Sequence, residues 1–152
     1  MAFFLELITP ERSVYRQEVD QITLPTVQGE ITILQNHLPL VSALVPGIAR
    51  VVANGVEEEL AVAGGFLLVE EGGRTRILAD SAERGHELDM EVLEEARARA
   101  EKIMAEMTRT DDAAYAAAAA QLEHELARYK VAIKHRKTKR PPVIGAGIDR
   151  AE

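Results

Sequence analysis

Along the first half of the chain apolar and polar positions alternate in short runs, and then the spacing changes to steps of three and four. The alternation begins in Phe4-Leu5-Glu6-Leu7-Ile8, stops at Thr9-Pro10, and resumes at Val14-Tyr15 and from Val19 to Leu24, where Ile22 and Leu24 share a face. Pro25-Thr26-Val27-Gln28-Gly29 reads as a turn, because glycine at 29 tolerates positive φ. Glu30-Ile31-Thr32-Ile33 alternates again as a half-buried strand. Gln35-Asn36-His37 is a polar loop closed by Pro39, and Val45-Pro46-Gly47 is a second turn. Further strands are expected at Ile48–Ala53, Glu58–Ala63, Phe66–Glu70 and Thr75–Ala79. Asn54-Gly55 suits a two-residue type I′ hairpin, in which both central residues take positive φ. Short strands punctuated by Gly and Pro, with no helical period among them, predict an antiparallel β-sandwich.

The period switches near Asp89, a suitable N-cap followed by Glu91, Glu94 and Glu95 at the positive end of the helix dipole. Leu93, Ala96, Ala100, Ile103 and Met107 form one stripe. Thr108-Arg109-Thr110 breaks it, and Thr110, Asp111 and Asp112 restart a helix carrying Tyr115, Ala119, Leu122, Leu126, Tyr129 and Ile133 on one face. Two helices joined by a tight turn form an antiparallel hairpin, and Pro141-Pro142 ends the second. The expected fold class is therefore α+β: a β-sandwich over residues 1–87, a helical hairpin over 88–138, and a basic, mobile tail over 139–152. Alanines at 96, 100 and 119 make the seam thin, since each offers one methyl group against roughly 1.5–3 kcal/mol for burying a Leu or Ile. The residues fit both a movable hairpin and a static one.

Charge divides the chain in the same way. Residues 1–89 carry 14 acidic and 6 basic side chains, net −8, while residues 90–152 carry 11 and 12, net +1. There is no cysteine, which excludes disulfides, thiol catalysis and thiolate metal sites. The absence of Trp and the acidic balance argue against a nucleic-acid platform. No apolar run approaches the roughly 20 residues of a membrane span, and Met1–Glu6 lacks the basic region of a signal peptide.

Candidate chemistry is sparse. His37 would need a partner to act as a base; Ser42 or Glu30 could be proposed, but no spacing supports a triad, so a contact or hydrogen-bonding role is expected. His86, His124 and His135 are too scattered for a metal site, and no phosphate-binding glycine loop occurs. Lys130, Lys134 and Lys137 lie in one stripe, extended by Arg136, Lys139 and Arg140. Like charges at this spacing repel, so the stripe exceeds what favourable interaction with a helix C-terminus needs. An acidic partner surface is the sharper reading; nucleic acid and anionic lipid are weaker ones. A β-sandwich anion-binding module acting through this basic end is the alternative function.

The string Gly29-Glu30-Ile31-x-Ile33-x-x-x-His37-x-Pro39-Leu40 resembles the epsilon subunit of F-type ATP synthases. The likeness continues through Pro10-Glu11-Arg12, Val19–Pro25, Pro46-Gly47, Gly64-Gly65-Phe66, Ile77–Ala82 and Leu88-Asp89, over roughly residues 1–138. It implies a ten-stranded sandwich that docks on the gamma subunit and the c-ring, with Gly29, Glu30, His37 and Leu40 as contact residues. It also implies a non-catalytic role in coupling proton flow to ATP synthesis, with alpha and beta as further partners and a hairpin that inhibits ATP hydrolysis. Lys130, Lys134 and Lys137 would meet an acidic segment of beta. The implied place is peripheral, on the cytoplasmic face of a bacterial inner membrane. Some relatives bind ATP through (Ile/Leu)-Asp-x-x-Arg-Ala. Here Leu88-Asp89 match but Val92-Leu93 stand where Arg-Ala belong, and Arg97 lies about 7.5 Å further along the axis. The resemblance therefore does not carry ATP binding to this chain, and no cofactor is expected.

Overall fold

The computed structural model describes residues 1–106 and 112–138, the side chains of Asp112 and Thr138 excepted. Expectations concerning Met107, the Thr108–Thr110 break, the restart at Thr110-Asp111, Lys139, Arg140, the Pro141-Pro142 stop and the 139–152 tail lie outside the described residues.

Ten strands are formed: β1 (Phe3–Ile8), β2 (Ser13–Val19), β3 (Gln21–Thr26), β4 (Gly29–Leu34), β5 (Leu40–Leu44), β6 (Gly47–Ala53), β7 (Val56–Val62), β8 (Gly65–Val69), β9 (Thr75–Ala79) and β10 (Ala82–Arg84). They make one hydrogen-bonded strip in the order β10-β7-β6-β3-β5-β8-β9-β1-β2, with β4 also on β3. The link between β3 and β5 is a single pair, Thr26 with Leu44, where the strip folds over. The first layer is thus β4-β3-β6-β7-β10 and the second β5-β8-β9-β1-β2; β2 returns against β6 and β10, so the sandwich nearly closes. Between the layers Leu5, Leu7, Ile22, Leu24, Ile33, Leu60, Leu67 and Ile77 are fully buried.

Local chemistry explains most boundaries. Asn54 (φ 51°) and Gly55 (φ 76°) make the type I′ turn between β6 and β7, and Gly29 has φ 114°. The stretch read as Val19–Leu24 is divided at Asp20, whose N–H donates to the Val52 carbonyl at 2.7 Å where the chain changes layers. Two strands lack a clear period: β5, which begins with adjacent apolar residues, and β10, which is only three residues long. One pairing departs from the antiparallel expectation, since β1 runs parallel to β9. These strands are distant in sequence, so no short hairpin connection forces them to run in opposite directions.

A 3-10 turn (Gly85–Glu87) leads to helix α1 (Met90–Glu106) and helix α2 (Asp112–Thr138). Asp89 caps α1 as expected, its Oδ1 accepting from the Glu91 N–H at 3.0 Å. Leu93 and Ala100 are buried, but Ile103 is 51% exposed and does not belong to the seam. Tyr115, Ala119, Leu122, Leu126, Tyr129 and Ile133 are all half-buried. The deepest apolar positions of α2 are instead Ala127, Val131 and Ala132. The reason is that α2 touches both α1 and the outer face of β6 and β7, so it buries two stripes. Ala127 and Val131 pack on Ala61, with Ile48 and Leu88 beside them. This small cluster is separate from the core between the layers.

Candidate functional site

The residues singled out between Gly29 and Leu40 do not form one patch. Gly29 and Glu30 open β4, whereas His37 lies beyond its other end. Five residue steps at about 3.3 Å each separate the two ends of this strand by about 17 Å. At the first end the Gly29 carbonyl accepts from Thr26 Oγ1 at 2.6 Å, and exposed Glu30 pairs with Arg50 at 2.6 Å. At the other end, half-buried His37 donates from Nδ1 to the Leu38 carbonyl at 2.7 Å. Leu40 is half-buried and pairs across from Val69. No carboxylate or hydroxyl is hydrogen-bonded to His37 among the described residues, so the geometry supplies no base–nucleophile pair. Nor does any group of three or more potential metal ligands occur among them.

A surface that the periodicity did not single out lies on the outer face of the second layer. The register sets Val41 beside Leu68, Ala43 beside Phe66, and Phe66 beside Leu78. Ile8 of β1 lies against Leu78 on the far side. Val41, Phe66 and Leu78 are 69%, 58% and 49% exposed. Further along the same face the residues turn charged: Glu6 is within 4 Å of Arg16, Arg74 and Arg76, and Glu70 of the last two. An apolar centre with a charged edge is the anatomy of a protein interface. A sequence signal for it did exist. Phe66-Leu67-Leu68-Val69 is apolar on both faces, as expected of a strand covered on both sides.

The hairpin is fastened to the first layer by charge as well as by Ala127 and Val131. Lys134 Nζ donates to Glu57 Oε1 at 2.8 Å and Glu59 Oε1 at 2.7 Å. Arg128 bridges Glu83 and Glu125 at 3.0 Å each. His124 Nε2 lies 3.3 Å from Ser81 Oγ, and burial together with nearby Arg128 lowers its pKa, favouring the neutral ring. Gly85 lets His135 come close; a Cβ there would stand 2.8 Å from the His135 Cβ. Of the predicted basic stripe, Lys130 and Lys137 are exposed with no ion pair among the described residues, while Lys134 is engaged on the sandwich.

Just before the hairpin, Arg12 grips Glu87 with two hydrogen bonds, at 2.5 and 2.7 Å. The guanidinium, helped by the Arg84 N–H, holds the Glu87 carboxyl down at about 2, against an ordinary 4.5. A carboxylate whose folded pKa is depressed contributes its full stability above 4.5 and loses it as the pH falls towards 2. The pair is largely solvated, so Arg12→Ala should cost only about 1 kcal/mol at neutral pH. Thermal unfolding of the two proteins should converge as the pH is lowered from 5 to about 2; a gap independent of pH would show that the pair is not its source. Leu88 and Asp89 follow this clamp directly, at the start of the hairpin.

Comparison with known proteins gives a consistent result. Residues 2–85 match the family model described as ATP synthase, Delta/Epsilon chain, beta-sandwich domain. The chain is 39% identical over 133 residues to an ATP synthase epsilon chain of Syntrophomonas wolfei, covering 87% of this chain and 95% of that one. To an epsilon chain of Dehalococcoides mccartyi strain BAV1 it is 42% identical over 133 residues, covering 88% and 94%. Its fold is similar to a chain in the OSCP/F1/c-ring assembly of the Euglena gracilis mitochondrial ATP synthase, with TM-score 0.71, 26% identity, and coverage of 87% and 81%. A chain from the Tetrahymena thermophila mitochondrial central stalk and c-ring shares the fold at TM-score 0.57 and 16% identity, over 89% and 96%.

Proposed function

This chain belongs to the ATP synthase epsilon family, and from that premise we propose that its sandwich docks on the rotor while its hairpin restrains ATP hydrolysis. It is a non-catalytic central-stalk subunit of an F-type ATP synthase, serving the coupling of ion flow to ATP synthesis. The observation that carries the docking assignment is the unequal treatment of the two outer faces. The first layer's outer face is covered over β6 and β7 by α2 of the same chain, and the second layer's leaves Val41, Phe66 and Leu78 bare. A surface of that kind calls for a partner in trans, and the gamma subunit is the partner we assign to it. Glu30 and His37, at opposite ends of the sandwich, then serve different neighbours, one gamma and the other the c-ring, with Gly29 and Leu40 shaping the two ends.

The hairpin reading rests on the thinness of its attachment. Its contact with the sandwich is made of a small apolar cluster, the approaches of His124 to Ser81 and His135 to Gly85, and a few ion pairs, of which Lys134–Glu57 is solvated and Arg128–Glu83 half-buried. The sandwich holds the connection as far as Glu87, so Leu88-Asp89 is the place for a pivot. Swung away, α2 would present Lys130, Lys134 and Lys137 to an acidic segment of beta. Among the described residues no helix is long and apolar enough to cross a membrane. The bacterial source of the epsilon-chain relatives supports a peripheral place on the cytoplasmic face of a bacterial inner membrane. Co-expression with a gamma subunit tests the assignment: the two chains should purify together at micromolar concentration, and a folded chain that leaves gamma unbound would refute it.

A further inference from the structure

We propose that Glu57 and Glu59 of β7 form an acidic cradle that keeps the hairpin docked by occupying Lys134. The cradle thereby withholds this lysine from the acidic partner assigned to it above, and that consequence rests on the inhibitory reading of the hairpin. The geometry is a line of the helix laid over a line of the strand. Alternate residues of a strand share a face, so Glu57, Glu59 and Ala61 point outward together, beneath α2. On the helix, Val131 and Lys134 follow Ala127 at steps of four and three, which places all three on one side. Ala127 and Val131 meet Ala61, and Lys134 meets the two carboxylates at 2.8 and 2.7 Å. Glu58, between them, points to the other face and is taken by Arg84 at 2.6 and 2.8 Å.

Two carboxylates on one face of a strand repel each other unless a cation lies between them. Lys134 is that cation, and the contact lowers the Glu57 pKa and raises that of Lys134. Arg50, opposite Glu59 on β6, is itself paired with Glu30 at 2.6 Å. Undocking the hairpin therefore uncovers two like charges and a lysine at once. A beta-like acidic segment can hold α2 only by replacing the same interaction, so docking in cis and binding in trans are mutually exclusive. Glu57 and Lys134 are 46% and 53% exposed, so added salt weakens the cradle.

Because the chain has no cysteine, a single introduced thiol reports opening cleanly. Val131→Cys places a thiol in the closed seam, and Ala49→Cys places one in the sandwich core as a reporter of global unfolding. In the full chain, Glu57→Gln with Glu59→Gln should raise the rate of thiol modification at Val131→Cys about five-fold at low salt. Its salt dependence should flatten, and the Ala49→Cys rate should stay unchanged. Lys134→Gln should reproduce the effect without adding to it. An unchanged rate at Val131→Cys, or an undiminished salt response, would overturn the cradle. In the assembled complex the glutamine pair should deepen inhibition of hydrolysis. If modification speeds up while hydrolysis does not change, the cradle stands and the inhibitory reading of the hairpin falls.

Discussion

Ending the chain at Asp89 is expected to raise ATP hydrolysis by the assembled complex about five-fold or more, the scale of an ordinary regulatory coupling. The shortened subunit should still fold and still couple. The sandwich core, built around Leu5, Leu7, Ile22, Leu24, Ile33, Leu60, Leu67 and Ile77, includes no residue of either helix. What truncation removes is the cluster of Ala127 and Val131 on Ala61 and the ion pairs from Lys134 and Arg128. The Arg12–Glu87 clamp survives, because both partners precede the cut. Uncovering Ala61 and Ile48 exposes modest apolar area, and the Glu83 and Glu59 carboxylates left behind become solvated when the helix is gone, so the loss of their ion pairs costs little each. The melting temperature should therefore fall by less than about 10 °C. Hydrolysis is measured as the initial rate of the complex rebuilt with full-length or shortened chain. Equal rates would make the hairpin a structural cover in this protein and no more.

The same division between core and attachment governs what could be read from the sequence. Asn54-Gly55, Gly29 and Asp89 behave as expected because a turn or a cap is decided by a few adjacent residues. A sandwich of short strands followed by two helices was legible for the same reason, since each period is local, whereas its count of ten strands came only from the family resemblance. Strand β5 was not, because Leu40–Leu44 becomes a strand only by pairing with β8, over twenty residues away. Ile103 fits a helical stripe yet lies exposed, since a period fixes a face but not whether anything covers it. The α2 helix shows the converse. It lies between α1 and the sandwich, so its small residues Ala127, Val131 and Ala132 are more buried than the bulkier stripe the spacing brings out.

The candidate site was less legible than the fold. Glu30 and His37 are close in sequence, but a strand separates them, and an extended chain carries neighbours far apart. The basic stripe was read as facing outward, and Lys134 finds Glu57 and Glu59 through a contact spanning more than seventy residues. The outer face of the second layer is assembled from four strands, β5, β8, β9 and β1, so no window of the sequence contains it. Only the doubly apolar Phe66–Val69 hinted that the outer side of that strand is apolar as well as the inner.

Phe66 is therefore where a single substitution should do most to assembly. Phe66→Glu is expected to weaken binding to gamma about a hundred-fold or more while leaving the fold intact. The stability expectation follows from the register: Leu67 and Val69 point into the core, whereas Phe66 and Leu68 point out, and Phe66 is already 58% exposed. A surface exchange of this kind changes stability by about 0.5 kcal/mol or less. The affinity expectation has two parts. Losing the burial of a phenylalanine removes roughly 1.5–3 kcal/mol, and a carboxylate stranded in an apolar contact adds a desolvation cost of its own. Central aromatic residues carry a large share of binding energy in interfaces, whereas truncations at a polar rim cost little. Glu30→Gln and His37→Ala, at the ends of the sandwich, should accordingly weaken gamma binding less than about ten-fold. Titration of purified gamma with the three variants measures the order directly. Undiminished affinity in Phe66→Glu, with larger losses in the other two, would move the docking surface from the face of the second layer to the ends of the sandwich.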